Sequence, residues 1–237
     1  MVGAMTVPFW LVRVMRGTTR DVGRPQGAVE MTVRHLLLLL IALGFIVVLD
    51  RHRLATWGLN LHNWGTSLTV AAGYAMVYAP FVALAARSGP STGESPPTFP
   101  TRPNRFDLIG ALAFHWLAVG LVEEVMFRGL VQTFLSHTWS GSLRIAGLDV
   151  PTAGVWAALM FAAVHIYPRL NVEQVVIAFV FGIVAAITYA STGSLLGPIL
   201  MHNIGDGLGV TAQLLRYRQL TGAWLPATSD IGRRTPG

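Results

Sequence analysis

Six ionisable side chains stand inside apolar runs of this sequence: Glu123, Glu124, Arg128, His165, His202 and Asp206, with the amide of Asn203 beside the last two. A charge near the middle of a lipid-embedded helix costs about 2.5–3.5 kcal/mol even on a lenient insertion scale, so each of these residues needs a partner or a purpose. Glu124 and Arg128 are four residues apart, which puts them on one helix face where a salt bridge can form. Glu123 lies outside that bridge, turned toward the side of Phe127, where it would address a polar cavity as a base. His202 and Asp206 repeat the spacing of four and project together, and Gly205, Gly207 and Gly209 leave room for a neighbouring helix or a substrate backbone.

Glutamate and imidazole together can hold a water molecule and take its proton, which makes this a hydrolytic constellation. Two arrangements fit the residue types. His165, His202 and Asp206 would bind a divalent metal such as zinc and leave one position open for water. Alternatively, His202 with Asp206 and Asn203 would stabilise an oxyanion with no metal at all. The spacing does not choose between them. His115 lies eight residues before Glu123 and is explained more simply as a hydrogen-bonding residue of the helix packing, outside the site. The absence of cysteine excludes disulfides, thiolate zinc ligands and a cysteine nucleophile.

The elements that position these residues are read from hydropathy. Of the 237 residues, 53% are hydrophobic and 12% charged, against about 25% charged in soluble domains. The predicted fold is therefore all-α, a polytopic transmembrane helical bundle of about six spans. The spans run from about His35 to Leu49, Thr66 to Ala86, Phe106 past Glu123 and Glu124 toward His137, Pro151 to Ile166, Val175 to Ala190 and Leu195 to Leu215. Residues 1–34 form an N-terminal arm, 35–215 the bundle and 216–237 a C-terminal tail; Met31, ahead of a leucine run, reads as an alternative start. The linker from Arg87 to Arg105 carries five prolines and cannot be a helix interior.

All seventeen basic residues are arginine. With the N-terminus inside, thirteen of them fall on cytoplasmic segments, only Arg51, Arg53 and Arg144 fall outside, and Arg128 remains within a span. That bias places both termini in the cytoplasm. It also accounts for the net charge of +6 without nucleic acid as a partner, since the arginines do not cluster on one polar face. The abundance of Ala, Gly, Val and Arg points to a GC-rich bacterial genome and so to a bacterial plasma membrane.

Glu123 to Arg128 matches the pattern EExxxR, Phe161 to His165 matches FxxxH, and His202 to Asp206 matches HxxxN/D, in that order within about 106–208. In these motifs the chain resembles the CPBP family of intramembrane proteases, which includes CAAX prenyl endopeptidases of type II and Abi-like, bacteriocin-processing enzymes. The resemblance implies a helical bundle with a cavity open to the membrane and an endopeptidase that cuts a membrane-associated protein or peptide. By motif position Glu123 and His165 would activate water, Glu124 would support them, and Arg128 would be the counter-ion. His202 and Asp206 would complete the site, although Asp stands where Asn is frequent, which weakens a neutral oxyanion donor and favours a metal ligand or an acid. In a bacterium, bacteriocin precursors, peptide pheromones and membrane regulators fit better as substrates than a prenylated protein. Two alternatives stay open at this point: a catalytically inactive scaffold or bacteriocin-immunity protein, and a proton-coupled transporter. Neither substrate identity nor oligomeric state is written in the sequence.

Overall fold

The computed structural model describes residues 28–50, 53–87, 105–145, 147–166 and 172–221. The N-terminal arm up to residue 27, the proline-rich stretch 88–104 and the tail from 222 lie outside the described residues. Among those described, the architecture is all-α apart from one hairpin. Helix α1 spans Ala28–Asp50, α2 Trp64–Arg87, α3 Arg105–Leu117 and α4 Val119–Glu124. A π-helical segment, Val125–Gln132, then leads into a last turn, α5, Thr133–Ser136. The hairpin β1 Ser142–Ile145 and β2 Leu148–Pro151 is antiparallel, pairing Ser142 with Pro151 and Ile145 with Leu148. Helices α6 Thr152–Val164, α7 Val172–Thr192 and α8 Leu196–Thr221 follow.

Apolar side chains on the outside of these helices show which solvent they meet. Leu36, Leu37, Leu40, Val47 and Val48 of α1 are exposed, as are Met76, Val77, Phe81 and Leu84 of α2, while only Leu38, Ala42 and Ile46 of α1 form a buried stripe at a spacing of four. Contiguous apolar surface on this scale is untenable in water and natural in lipid. Four stretches are long and apolar enough to cross a bilayer: Thr32–Asp50, Trp64–Leu84, Ile109–Ser136 and Val172–Thr192. The protein is an integral membrane protein.

The two remaining expected spans differ from these four. Helix α6 has 13 residues, about 20 Å of rise against a hydrocarbon core of about 30 Å. Helix α8 is long enough at 26 residues, but His202, Asn203, Asp206 and Gln213 dilute its apolar character. The expected third span is the run from α3 to α5. Ala118 interrupts the regular helix, yet the ladder carries across it, because the Ala118 N–H donates to the Phe114 carbonyl at 2.8 Å and the Val122 N–H to the Ala118 carbonyl at 3.1 Å.

The described chain divides into two compact units. The first is built from Leu39–Leu68 and Glu123–Pro198, the second from 28–38, Thr69–Val122 and 199–221. In the first unit α6 and α7 approach closely through small residues: a Cβ on Gly182 would meet the Ala158 Cβ at 2.9 Å, and one on Gly154 would meet the Ala186 Cβ at 2.8 Å. Such contacts let helix backbones pack where lipid offers no hydrophobic drive between helices. The turn before α8 is tied to the loop after α1. The Asn60 side chain donates to the Gly193 carbonyl at 2.8 Å, Asn63 to the Thr192 carbonyl at 3.0 Å, and the Leu195 N–H to the Gly58 carbonyl at 3.0 Å. Gly58 holds φ +79° there against the ring of Tyr189, a place no other residue fills without strain.

Candidate active site

The first unit holds Glu123, Glu124, Arg128 and His165. The two glutamates end α4, and the π segment begins immediately after them. A π turn closes its hydrogen bonds over five residues and occurs often where helices serve a site. Here the Thr133 hydroxyl donates to the Arg128 carbonyl at 3.1 Å, and the same hydroxyl lies 2.7 Å from that of Tyr189 on α7. The Gln132 amide donates to the Ala186 carbonyl at 3.2 Å. The segment is thus anchored to α7 one turn at a time.

Within that anchorage, Glu124 and Arg128 are both fully buried. Arg128 Nη1 donates to Glu124 Oε1 at 3.0 Å and Nη2 donates to the Gly182 carbonyl at 3.0 Å. The guanidinium also lies 4.9 Å from the ring centroid of Phe161 and 5.9 Å from that of Phe181. A buried ion pair is costly unless its remaining donors are met; here the Gly182 carbonyl takes Nη2 and two aromatic faces lie against the guanidinium, while Nε makes no hydrogen bond among the described residues. Glu123, one residue earlier, is half-buried and close enough to act electrostatically on Arg128.

His165 sits at the C-terminal end of α6, one turn after Phe161. Its Nδ1 lies 2.8 Å from the Phe161 carbonyl oxygen. A carbonyl only accepts, so Nδ1 carries the proton and, in the neutral ring, Nε2 presents a lone pair. That is the tautomer a general base requires. Phe161 does more than fill space: its ring is 4.7 Å from the His165 ring, 5.2 Å from Phe127 and under the guanidinium of Arg128. The FxxxH spacing therefore links the histidine to the buried ion pair through one aromatic side chain.

The second unit holds His202, Asn203 and Asp206, all on α8. His202 Nε2 stands 3.8 Å from Asp206 Oδ2, with His202 buried and the Asp206 side chain 38% exposed. Asn203 is buried and spends both ends of its amide on the chain between α3 and α4. Its Oδ1 accepts the Gly120 N–H at 2.8 Å, and its Nδ2 donates to the Leu117 carbonyl at 3.3 Å. Gly120 makes this possible, since a Cβ there would meet Asn203 Oδ1 at 2.6 Å and the His202 Cβ at 2.8 Å. Two of the three glycines around Asp206 meet aromatic side chains: Gly205 faces the Tyr74 hydroxyl and Gly207 the indole of Trp116, while Gly209 borders open space.

One residue set aside on sequence grounds belongs to this cluster. His115 Nδ1 lies 3.9 Å from Asp206 Oδ2. No spacing rule relates positions 115 and 206, which lie on separate helices, so the sequence offered only an ionisable residue within an apolar run and not its partner. Among the described residues, no three His, Asp or Glu side chains within either unit group in a way that would hold a metal ion.

Residues 105–208 match the family model described as Type II CAAX prenyl endopeptidase Rce1-like. That stretch contains Glu123, Glu124, Arg128, His165, His202, Asn203 and Asp206, and His115 as well. No curated protein and no solved structure matches the chain.

Proposed function

The stretch 105–208 belongs to the CPBP family of CAAX-type intramembrane proteases, and from that premise we propose that this protein hydrolyses a peptide bond in a membrane-associated protein or peptide with water activated by Glu123 and His165. The observation that carries the proposal is the His165 ring. Its Nδ1 is committed to the Phe161 carbonyl at 2.8 Å, so Nε2 is the atom that takes a proton.

The reaction that the resemblance implies uses these side chains. Water gives a proton to the Glu123 carboxylate or to His165 Nε2 as its oxygen attacks the scissile carbonyl carbon. The carbonyl electrons move onto oxygen, and stabilising that charge is the role the resemblance gives to the His202 motif. Collapse of the tetrahedral intermediate breaks the C–N bond, and the stored proton passes to the leaving amine. Glu124 and Arg128 keep the helix end beneath Glu123 in place, and Asn203 fixes the register of α8. The substrate lies in the lipid bilayer or at its surface, in a bacterial plasma membrane with both termini of the chain in the cytoplasm, and nucleic acid has no part in the function.

The test is cleavage of a library of membrane peptides by detergent-purified protein and by Glu123→Ala, each with and without a chelator. Cleavage by the wild type and its loss in Glu123→Ala is the expected result, with no effect of the chelator. Full activity in Glu123→Ala would overturn the assignment, and reversible inhibition by the chelator would replace the metal-free chemistry with a metal-bound water.

A further inference from the structure

The carboxylate of Asp206 faces two imidazoles, and the motifs account for only one of them. His202 Nε2 lies 3.8 Å from Asp206 Oδ2, as a spacing of four on one helix dictates. His115 Nδ1 lies 3.9 Å from the same oxygen, and it arrives from α3. Both separations exceed a direct hydrogen bond, and both suit an ion pair or one bridging water.

The approach of His115 is not accidental to a loosely placed side chain, because the residues that follow it are tied to α8. Trp116 Nε1 donates to the Thr211 hydroxyl at 3.2 Å, and the Trp116 indole lies against Gly207. The Leu117 carbonyl and the Gly120 N–H are both held by the Asn203 amide. Four contacts thus fix the register between this stretch and α8, and they bracket Asp206 along the helix, from Asn203 on one side to Thr211 on the other. Phe114 packs edge-on against the His115 ring, with centroids 5.4 Å apart, and restricts its swing. The His115 side chain itself is 25% exposed and the Asp206 side chain 38%, so the pair borders an accessible space.

We propose that His115 is a positioning residue for the His202–Asp206 pair. Resting on the proposed function, the idea is that His115 holds one rotamer of the Asp206 carboxylate, and the carboxylate in turn fixes the ring of His202. The logic is that of any histidine whose orientation depends on a carboxylate which is itself held by a further donor. The role requires a carboxylate at 206: an amide there would meet His115 with a neutral and differently shaped group.

The experiment is a double-mutant cycle on cleavage, with His115→Ala, Asp206→Asn and the double variant, and with Glu123→Ala alongside. His115→Ala is expected to lower kcat by about 10-fold or somewhat more, the range seen when an outer partner of a working histidine is removed, with KM unchanged. His115→Asn, which keeps an N–H near the position of Nδ1, should restore most of the loss, whereas His115→Phe should not. In the Asp206→Asn background His115→Ala should cost nothing further. A loss of equal size in both backgrounds, or no loss in either, would overturn the positioning role. Retained activity in Glu123→Ala would instead overturn the proposed hydrolysis. The coupling can also be read without substrate, from thermal unfolding in detergent, where the midpoint shift of the double variant should fall short of the sum of the single shifts; additive shifts would contradict the pairing.

Discussion

The two units hold their candidate site residues in opposite ways. In the first, Glu124 and Arg128 are sealed from solvent, joined at 3.0 Å, and braced by the Gly182 carbonyl and the rings of Phe161 and Phe181. In the second, His202, Asp206 and His115 meet at 3.8–3.9 Å, and the carboxylate is partly exposed. The first is a buried network centred on one ion pair, so loss of either charge is felt by the fold. The second couples a rigid frame, the Asn203 clamp, to a carboxylate that is partly exposed and faces two imidazoles at separations longer than a hydrogen bond.

The comparison can be broken at several points. Arg128→Ala should have the largest effect, about 3–5 kcal/mol of stability, because the Glu124 charge is then buried without its partner; the unfolding midpoint in detergent, or failure to recover folded protein, measures it. If the variant were as stable as the wild type, the first unit would not be the buried network described. His165→Ala should leave the unfolding midpoint near that of the wild type and lower the rate by about 10²–10⁴-fold, the usual contribution of a general base. A large loss of stability with modest loss of rate would reverse the assignment of His165 from chemistry to packing.

Smaller changes sharpen the contrast. Gly120→Ala should cost about 1–3 kcal/mol through overpacking against Asn203 and His202, and it should reduce the rate along with stability because the frame of the second unit shifts. Thr133→Val should cost about 0.5–1.5 kcal/mol, the worth of an ordinary hydrogen bond, with the rate unchanged; a marked loss of rate would show that the π segment positions Glu123 more directly than its packing implies.

The sequence carried the membrane class and the broad course of the helices, because long apolar runs translate directly into spans. It also carried the spacing of four that sets Glu124 beside Arg128 and His202 beside Asp206, since helix geometry alone fixes those neighbours. What it did not carry are features that depend on two segments at once. The π segment after Glu124 shifts the hydrogen-bond ladder by one residue, and hydropathy is blind to that. The hairpin Ser142–Pro151 occupies a short stretch between helices with too few residues to show a period. The carbonyl of Gly182 as an acceptor for Arg128, the seat of Asn203 against Gly120, and the approach of His115 to Asp206 each join residues more than fifty positions apart. The first of these was hidden for a further reason, because a glycine in an apolar run gives no sign that its backbone is used.

The central claim is that water, and not a side-chain oxygen, attacks the peptide bond. Cleavage of a membrane peptide under single-turnover conditions, in water enriched in the heavy oxygen isotope and with hydroxylamine present as a trap, tests it most directly. The account predicts one heavy oxygen in the new carboxyl terminus and no hydroxamate, with both the cleavage and the label lost in Glu123→Ala. A hydroxamate product would reveal an acyl-enzyme and would contradict the account.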